Sequence, residues 1–359
     1  MSRSLRFFRD FRKIKKCRRL QIPPPVVLFP VIWVTHRCNL RCRMCDWWKT
    51  QSADTSKELS TWEWYSFFDS VNRMRAATIV ITGGEPLLRQ DLFDIIKYIR
   101  TKGMSCHLCT NGSMLTEVNA NKLKVAGLAS ISVSLYSYGA EIHNRLRGTD
   151  CFDAAIKGIK FLTQSAPEIK VGINYVITKE NFHNLDRMVA FAQNLKVNQI
   201  KFDPVHTNLV HRHKPLCSFT GLLFDNNDLA ELSFEIKKLI NTASQVKLVA
   251  NSRTFMNGII DFFAGRPNRL SCYAGYISCA VDAFGRVSPC DNFEGSENIR
   301  DKPFEEIWRS DSFQQLRERV HGCSNRCWDT THAELNIRCA NGAFIREFGQ
   351  ILKDLSFYL

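Results

Sequence analysis

Three cysteines stand close together near the start of the chain, in the stretch CNLRCRMC at residues 38–45. Cys38, Cys42 and Cys45 follow a C-x3-C-x2-C spacing. Structural zinc takes four ligands in a closed tetrahedron, so three thiolates do not complete such a site. A cubane iron–sulfur cluster is normally held by four thiolates, one on each iron, so three cysteines leave one iron open. The spacing therefore predicts an iron–sulfur cluster whose fourth iron binds a substrate or cofactor.

A second group of cysteines lies in the last quarter of the chain: Cys272, Cys279, Cys290, Cys323, Cys327 and Cys339. Fourteen cysteines in a chain without export features indicate metal-binding or catalytic thiols in a reducing compartment, not a disulfide framework. The other five are predicted to be ordinary small apolar residues: Cys17, Cys106, Cys109, Cys151 and Cys217. We expect a cytoplasmic protein.

Composition excludes two classes of protein. Hydrophobic residues make up 45% of the 359, and no run of 18 apolar residues occurs, so a membrane-spanning helix is not expected. The net charge is +14, and residues 1–19 supply +8 of it, from nine basic residues and Asp10. The rest of the chain is only mildly basic, so no nucleic-acid partner is expected.

Apolar, β-branched runs alternate with helical patterns through the first two thirds of the chain, at residues 31–35, 77–82, 104–110, 129–135, 170–178 and 198–205. The helical pattern at residues 60–74 begins with Ser60, and Glu63 follows three residues later, which is a capping-box signature. Such βα units imply a parallel sheet. Periodicity alone does not distinguish a doubly wound layer from a partial barrel.

The chain is predicted to have four regions. Residues 1–30 form a basic amphipathic segment and a proline-rich connector, residues 31–270 the α/β domain, residues 271–340 a cysteine-rich domain and residues 341–359 a C-terminal helix or tail. A helix over residues 5–16 would group four apolar side chains on one side, with basic residues around them. Residues 1–20 are thus predicted to contact an anionic membrane surface, to dock a partner or to form a frayed tail.

Several motifs together carry a family resemblance. The three-cysteine stretch after the first strand resembles the cluster motif of radical S-adenosylmethionine (SAM) enzymes. GGEP at residues 83–86 resembles the family's stretch that contacts the SAM amino group. SVSLYSYGAEIHNRLRG (132–148) and VITKENFHNL (176–185) resemble the fourth-strand segment and the fifth-strand exit. The resemblance spans roughly residues 30–330 and implies an α/β fold: a partial (β/α)6 TIM-like barrel with a small C-terminal cysteine-rich α+β domain.

The resemblance also implies a SAM site, formed by Met44, Gly83, Gly84, Glu85, Pro86, Ser134 and Arg147. Ser134 and Arg147 match the positions that hold the SAM carboxylate and ribose. Met44 stands where the family often has an aromatic residue, and its polarizable sulfur is suited to pack on adenine. Tyr136 departs from the pattern, since many relatives that modify peptides carry Asp there.

The second cysteine group resembles the SPASM extension, or its shorter form called twitch, which binds auxiliary iron–sulfur clusters. Cys272 and Cys290 frame its C-x12-G-x4-C opening. A full SPASM domain continues as C-x2-C-x5-C-x3-C, but Gln314 and Arg317 occupy the first two of those positions. The resemblance implies one auxiliary 4Fe–4S cluster, on Cys272, Cys290, Cys323 and Cys327. Three alternatives stay open: Cys279 as a ligand in place of Cys323 or as a buried residue, Cys339 as a ligand, and zinc in this domain.

Asp291 directly follows Cys290, at a place where related oxidising enzymes carry a carboxylate beside the auxiliary cluster. It is our candidate catalytic general base, and the ordinary alternative is a loop aspartate that caps the next turn. Four polar residues near predicted strand ends are candidates to line the pocket: His143, Arg145, Asp203 and His206.

By this resemblance the cofactors are a SAM-binding 4Fe–4S cluster, SAM, and a second, auxiliary 4Fe–4S cluster. The enzyme reductively cleaves SAM to a deoxyadenosyl radical, which abstracts hydrogen from an unactivated C–H bond of a small-metabolite, sugar or lipid-linked substrate. The segment before the first strand is too short for a leader-peptide-binding fold. A peptide substrate is the alternative. A non-catalytic iron–sulfur electron carrier or zinc-binding module is the alternative of another class. A reducing partner such as flavodoxin or ferredoxin and peripheral contact with the inner membrane surface are also expected.

Overall fold

A computed structural model describes most of the chain: residues 3–45, 47–50, 55–206, 221–267, 270–295, 297–324, 327–340, 342 and 347–359. Cys217 lies outside the described residues, and so do residues 268–269, just before the predicted boundary between residues 270 and 271.

Nine strands and fourteen helices are described. The strands are β1 Phe29–Trp33, β2 Thr78–Thr82, β3 Ser105–Thr110, β4 Ser130–Ser134, β5 Lys170–Ile177, β6 Gln199–Pro204, β7 Ser278–Val281, β8 Arg286–Ser288 and β9 Glu297–Asn298. The helices are α1 Arg3–Leu20, α2 Trp47–Thr50, α3 Thr61–Arg73, α4 Leu92–Thr101, α5 Glu117–Val125, α6 Ala140–Arg147, α7 Phe152–Ser165, α8 Leu185–Asn194, α9 Leu229–Gln245, α10 Arg253–Phe263, α11 Phe304–Arg309, α12 Asp311–His321, α13 Ala333–Cys339 and α14 Phe348–Tyr358.

The strands form one sheet in the order β6-β5-β4-β3-β2-β1-β7-β8-β9. Strands β1 to β6 are parallel and pair in sequence order. Right-handed crossovers that always step in one direction place every helix on the same side of a sheet. The helices therefore cover the convex side, and the sheet curves into the partial barrel. Strand order, not periodicity, excludes the doubly wound layer.

The cysteine-rich region extends this same sheet. Strand β7 pairs in parallel with β1, and β7 and β8 form an antiparallel hairpin. Gly285 makes the hairpin turn with a φ of +90°, a conformation that disfavours any residue with a Cβ. The predicted capping box at Ser60 and Glu63 also forms at the start of α3.

Helix α14 covers the end of the barrel at which the strands begin. The carbonyl oxygen of Tyr358 accepts hydrogen bonds from Thr78 Oγ1 (3.2 Å) and Ser105 Oγ (2.5 Å), at the first residues of β2 and β3. The Tyr358 hydroxyl accepts a hydrogen bond from Lys201 Nζ at 2.8 Å. Because α14 covers this end, a substrate must enter from the opposite end, at which the strands terminate.

Helix α1 packs its apolar side onto the protein. Ile14 is fully buried beside Tyr276 and Ile277, and Phe7 and Phe11 pack against the same cluster. The frayed tail considered from the sequence is therefore replaced by a docked helix, and the apolar side that membrane insertion would use is already covered. Among the helices of the described residues, none is both long enough and apolar enough to cross a bilayer.

Candidate active site

The loop after β1 carries the three motif cysteines at the open end of the barrel. Cys42 is buried, Cys38 and Cys45 are half-buried, and none of the three forms a disulfide within the described residues. The Arg43 amide donates to the Leu146 carbonyl at 2.9 Å, and the Cys45 amide donates to the Cys42 carbonyl at 3.1 Å. Burial raises the pKa of Cys38, and it raises that of Cys45 to about 11. Iron must therefore displace protons as it binds.

The glycines of GGEP let the turn after β2 lie directly against this loop. A Cβ on Gly83 would collide with the Thr35 carbonyl, and one on Gly84 with the carbonyl oxygen of Arg37. The Gly84 amide donates to the Thr35 carbonyl at 3.0 Å. The two glycines thus permit a close backbone approach that any side chain would prevent, which explains their place in the motif.

Glu85 points into the barrel wall. Its carboxylate accepts hydrogen bonds from the amide of Leu87 (3.1 Å), the hydroxyl of Thr110 (2.8 Å) and the amide of Asn111 (2.7 Å). The side chain is fully buried, and burial raises its pKa. With three hydrogen bonds already made within the chain, this carboxylate holds the ends of β2 and β3 in place. Pro86 begins the short helical turn that follows.

Arg147 links the cysteine loop to the end of β4. Its guanidinium donates to Cys42 Sγ at 3.4 Å and to the Ser134 carbonyl at 2.9 Å, and it lies 4.3 Å from the ring centre of Tyr136. The residue is only 4% exposed. Its Nε atom is buried and has no hydrogen-bond partner among the described residues. A buried cationic donor left in this state is suited to an anionic group of a bound molecule.

Two further residues pack beside the motif. Met44, predicted to contact adenine, packs against both the cysteine loop and the cluster that contains Tyr136. Cys151, predicted to be an ordinary small apolar residue, is buried in one hydrophobic cluster with Cys42. Its sulfur lies 3.5 Å from Nε2 of His143, whose Nδ1 accepts the Tyr136 amide. No spacing rule points to Cys151, because it reaches the loop only through the packing of α6 and α7.

These residues fit the cofactors that the motif implies. Three cysteine thiols share one loop, the glycine turn brings backbone against it, and Arg147 leaves a buried donor beside Cys42. Within the described residues, no three His, Cys, Asp or Glu side chains are arranged to hold a single metal ion. A single ion needs all its ligands within about 2.3 Å of one point, whereas each thiolate of a cubane cluster binds a different iron.

Four cysteines from separate stretches converge in the C-terminal region. Burial raises the pKa of Cys272, Cys290 and Cys327. The charges of neighbouring cysteines raise these values further: Cys323 raises the pKa of Cys272, and Cys272 raises the pKa of Cys290 and of Cys327. Asn292 donates to Cys327 Sγ at 3.2 Å. Four thiols that lie this near one another fit the ligand set of a single auxiliary cluster.

The two remaining cysteines of this region lie in apolar surroundings. Cys279 is 1% exposed, sits on β7 opposite Pro30 of β1 and belongs to the main hydrophobic core. It is not among the neighbours that raise the pKa of Cys272, Cys290 or Cys327. The structure thus favours the buried role for Cys279. Cys339 is also 1% exposed and packs with Ile14 and Tyr273, near Cys272.

The two positions that lack cysteines are filled by structural side chains. Arg317 is fully buried and donates to the carbonyls of Gly275 (2.7 Å) and Trp308 (2.6 Å). Burial lowers its pKa to about 10. Gln314 donates to the Gln21 carbonyl at 2.7 Å. A second auxiliary cluster would have to displace this packed guanidinium.

Asp291, the candidate general base, is half-buried and close to a charged pair. Burial by itself would lower the pKa of His332. The Asp329 carboxylate, 3.0 Å from Nδ1 of His332, outweighs burial, and Asp291 adds a smaller effect in the same direction, so the pKa of His332 rises to about 9. Asp291 therefore lies near the imidazole of His332.

The four predicted pocket residues have different places. His143 is fully buried behind Tyr136, and Arg145 is an exposed residue paired with Glu180 at 2.9 Å. His206 Nε2 lies 2.9 Å from the Trp328 carbonyl.

Asp203 projects from the end of β6 and accepts hydrogen bonds from the Thr330 amide (2.7 Å) and hydroxyl (3.2 Å). Burial, with the nearby Asp329 charge, raises its pKa to about 7. Deeper in the barrel, a cavity of about 150 Å³ is lined mainly by apolar surface, some of it from α1 and α14, and its polar lining residues include His107, Asn174 and Lys201.

Two family models match this chain, one over the barrel and one over the cysteine-rich region. The model of the radical SAM superfamily matches residues 32–192, and the model of the SPASM iron–sulfur cluster-binding domain matches residues 272–329. The first segment contains the cysteine loop, the glycine turn and Arg147. The second contains the four converging cysteines.

Three curated relatives cover most of the chain. Fe-coproporphyrin III synthase of Methanosarcina barkeri is 33% identical over 360 residues, which is 94% of this chain and 86% of the relative. AdoMet-dependent heme synthase of Oleidesulfovibrio alaskensis is 28% identical over 83% of this chain and 79% of the relative. Mycofactocin maturase MftC of Mycolicibacterium smegmatis is 26% identical over 79% of this chain and 71% of the relative.

Solved structures share the fold. SuiB of Streptococcus suis bound to S-adenosylmethionine superposes with a TM-score of 0.66 at 17% identity, over 85% of this chain and 71% of that one. The matched models assign a SAM-binding 4Fe–4S cluster and SAM to the first segment and auxiliary iron–sulfur binding to the second. The chain is therefore an enzyme of the radical SAM superfamily that carries a C-terminal SPASM domain.

Proposed function

We propose that this enzyme abstracts hydrogen from an unactivated C–H bond of a small-molecule substrate, with one auxiliary cluster as a redox aid. The observation that carries the SAM-dependent step is the unpartnered buried Nε of Arg147 beside a loop with three cysteines. When bound at that loop, the cluster and SAM supply a carbon-centred radical. The rest of the chemistry depends on how the chain holds and shields the reactants.

Each part of the site has a separate task in this proposal. Cys38, Cys42 and Cys45 hold the cluster, and the turn at residues 83–86 presents backbone to the SAM amino group. Arg147 and Ser134 position the carboxylate and ribose, and Met44 packs on the adenine. Helix α14 keeps water out of the barrel from its far end. Exclusion of water protects a radical from side reactions.

For the auxiliary cluster we propose Cys272, Cys290, Cys323 and Cys327 as ligands. Asp291, one residue after a ligand, is proposed to accept a proton from the substrate as it is oxidised. The half-buried position of Asp291 and the neighbouring imidazole of His332 support this role.

Among small metabolites, sugars and lipid-linked compounds, we propose a carboxylated tetrapyrrole as the first substrate to test. Two relatives that align over most of the chain are named as a heme synthase and an Fe-coproporphyrin III synthase. The barrel interior holds a cavity of about 150 Å³ whose largely apolar lining also includes Lys201 and Asn174, and this mixture suits part of a molecule that is itself both apolar and polar.

The test is product formation by the anaerobically reconstituted enzyme with SAM and dithionite. Deoxyadenosine and the mass of the tetrapyrrole are measured with coproporphyrin III and with its iron complex. A Cys38/Cys42/Cys45→Ala variant should form no deoxyadenosine, whereas Cys106→Ala, a core cysteine outside both sets, should behave like the wild type. Absence of deoxyadenosine from a protein with both clusters intact would refute the enzymatic proposal.

A peptide substrate is the second candidate. It is supported by the alignment with a mycofactocin maturase over 79% of this chain. A mass change in a supplied precursor peptide, with no change in the tetrapyrroles, would replace the first substrate class by the second.

A further inference from the structure

The outward side of α1 is strongly basic. Six described side chains on it are exposed: Arg6, Arg9, Arg12, Lys13, Lys16 and Arg19. The one acid of the helix, Asp10, is 1% exposed and is paired with Arg9 and Arg75, both at 3.3 Å. Within the described part of the chain, Arg12, Lys16 and Arg19 have no carboxylate partner. Their charge is therefore directed at solvent.

This side of α1 forms one wall of a large cleft. The cleft has a volume of about 1160 Å³, and its helix wall includes Arg12, Lys16 and Arg19. The opposite wall includes His321 and Asn336. No acidic residue is among the described residues that line it, so the positive charge is not compensated locally. Such a surface attracts an acidic partner and accelerates its association.

The floor of the cleft is the backbone around a proposed auxiliary-cluster ligand. Ser271 and Tyr273, on either side of Cys272, both line the cleft. Arg18 donates from Nε to the Cys272 carbonyl at 2.6 Å, and its guanidinium lies 4.9 Å from the Tyr273 ring centre. A protein seated in the cleft would therefore lie next to the auxiliary cluster, without entering the barrel.

Two observations favour a protein over a membrane or a nucleic acid. The apolar side of α1 is packed on Tyr276 and Ile277, so the helix has no apolar side left for a bilayer. The +8 of residues 1–19 leaves only +6 for the other 340 residues, so the rest of the chain has little excess positive charge with which to continue this surface as a nucleic-acid track.

We propose that the cleft along α1 docks a small acidic protein that carries a flavin or an iron–sulfur centre, and that one electron passes between that centre and the auxiliary cluster. In the reductive direction the carrier loses one electron and the cluster gains it, and no bond forms or breaks. The inference rests on the auxiliary cluster assigned under the proposed function.

The first test measures binding of a purified acidic flavodoxin to the reconstituted enzyme by calorimetry at 50 and 300 mM NaCl. The variant Arg12→Glu/Lys16→Glu/Arg19→Glu reverses three charges in the cleft. The matched control makes the same change in net charge on the outer helices α4 and α7, with Lys97, Lys157 and Lys160 each changed to Glu; all three are exposed.

We expect wild-type binding that weakens with salt, a loss of at least about tenfold in the cleft variant and less than about threefold in the control. Equal binding by the two variants would overturn the proposal. A second result would also overturn it: the wild type floats with phosphatidylserine vesicles and the cleft variant does not, while both proteins bind flavodoxin equally.

The second test measures electron transfer without turnover. A Cys38/Cys42/Cys45→Ala background retains only the auxiliary cluster, and its reduction by photoreduced flavodoxin is followed by stopped-flow absorbance. The cleft variant should slow this reduction while dithionite reduces both proteins at the same rate. Equal rates with flavodoxin would refute the proposed electron path. Deoxyadenosine formation with dithionite reports on the proposed function separately, because it needs no carrier.

Discussion

Replacement of Arg147 by lysine should weaken SAM binding more than it weakens the fold around it. Lysine keeps the charge but loses the fork that reaches both Cys42 Sγ (3.4 Å) and the Ser134 carbonyl (2.9 Å), and it removes the buried Nε donor. A hydrogen bond from a charged group contributes about 1.5–3 kcal/mol. Loss of one such bond to the SAM carboxylate corresponds to a Kd about 10 to 150 times higher.

The assay is calorimetric titration of SAM into the anaerobically reconstituted enzyme without reductant. Iron content is measured in parallel, because Arg147 also contacts a cluster ligand. The matched control is Arg145→Lys, two residues earlier on α6, where the side chain is 45% exposed and pairs with Glu180. The control should leave Kd within about twofold, since exposed ion pairs contribute little. An unchanged Kd in Arg147→Lys, at full iron content, would refute the role assigned to this arginine.

Three further outcomes follow from the structure. Gly84→Ala should lower the free energy of unfolding, measured by urea titration, by more than about 2 kcal/mol, because the new Cβ would meet the Arg37 carbonyl. The control Gly139→Ala, whose Cβ would have nothing within 4 Å, should change it by less than about 1 kcal/mol. Equal effects of the two substitutions would contradict the close backbone approach at Gly84. Asp203 has a pKa of about 7 in the folded protein, above its usual value, so the folded protein keeps a proton that the unfolded chain loses, and stability falls as pH rises from about 4 to 7. Between pH 4.5 and 8 the free energy of unfolding of Asp203→Asn should therefore rise by about 2 kcal/mol relative to that of the wild type, after allowance for partial solvent access. Parallel pH profiles of the two proteins would refute this role. Cys290→Ala should lose about four irons per chain and Cys279→Ala none, and iron loss in the second variant would return Cys279 to the ligand set.

The strands and the first cluster loop could be predicted closely from local signals. Each of the six predicted βα strands overlaps an observed one, because β-branched runs and the capping box at Ser60 act over a few neighbouring residues. The loop at residues 38–45 is equally local, since its ligands are separated by two or three residues. Arg145 shows the limit of this reasoning. Its place near a strand end suggested a pocket role, but the turn of α6 directs it to solvent.

Packing between distant segments decided the rest of the site. Cys151 joins Cys42 across more than 100 residues, and Arg317 fills a position where the domain pattern would place a ligand. Glu85 lies in the recognisable GGEP motif, but its carboxylate is committed to Thr110 and Asn111 on the next strand. None of these contacts leaves a spacing in the sequence, because each depends on how two elements approach each other.

The sequence by itself determined the ligand chemistry, the alternation of strands and helices, and the family to which these belong, since all three depend on residue types at short spacing. The tertiary structure decided that the sheet curves with its helices on one side, that α14 covers one end of the barrel, and that the apolar side of α1 is buried while its basic side lines a cleft beside Cys272. The physical reason is that curvature, closure and burial arise from contacts between segments far apart in the chain, and the free energy of those contacts is set only when the segments pack.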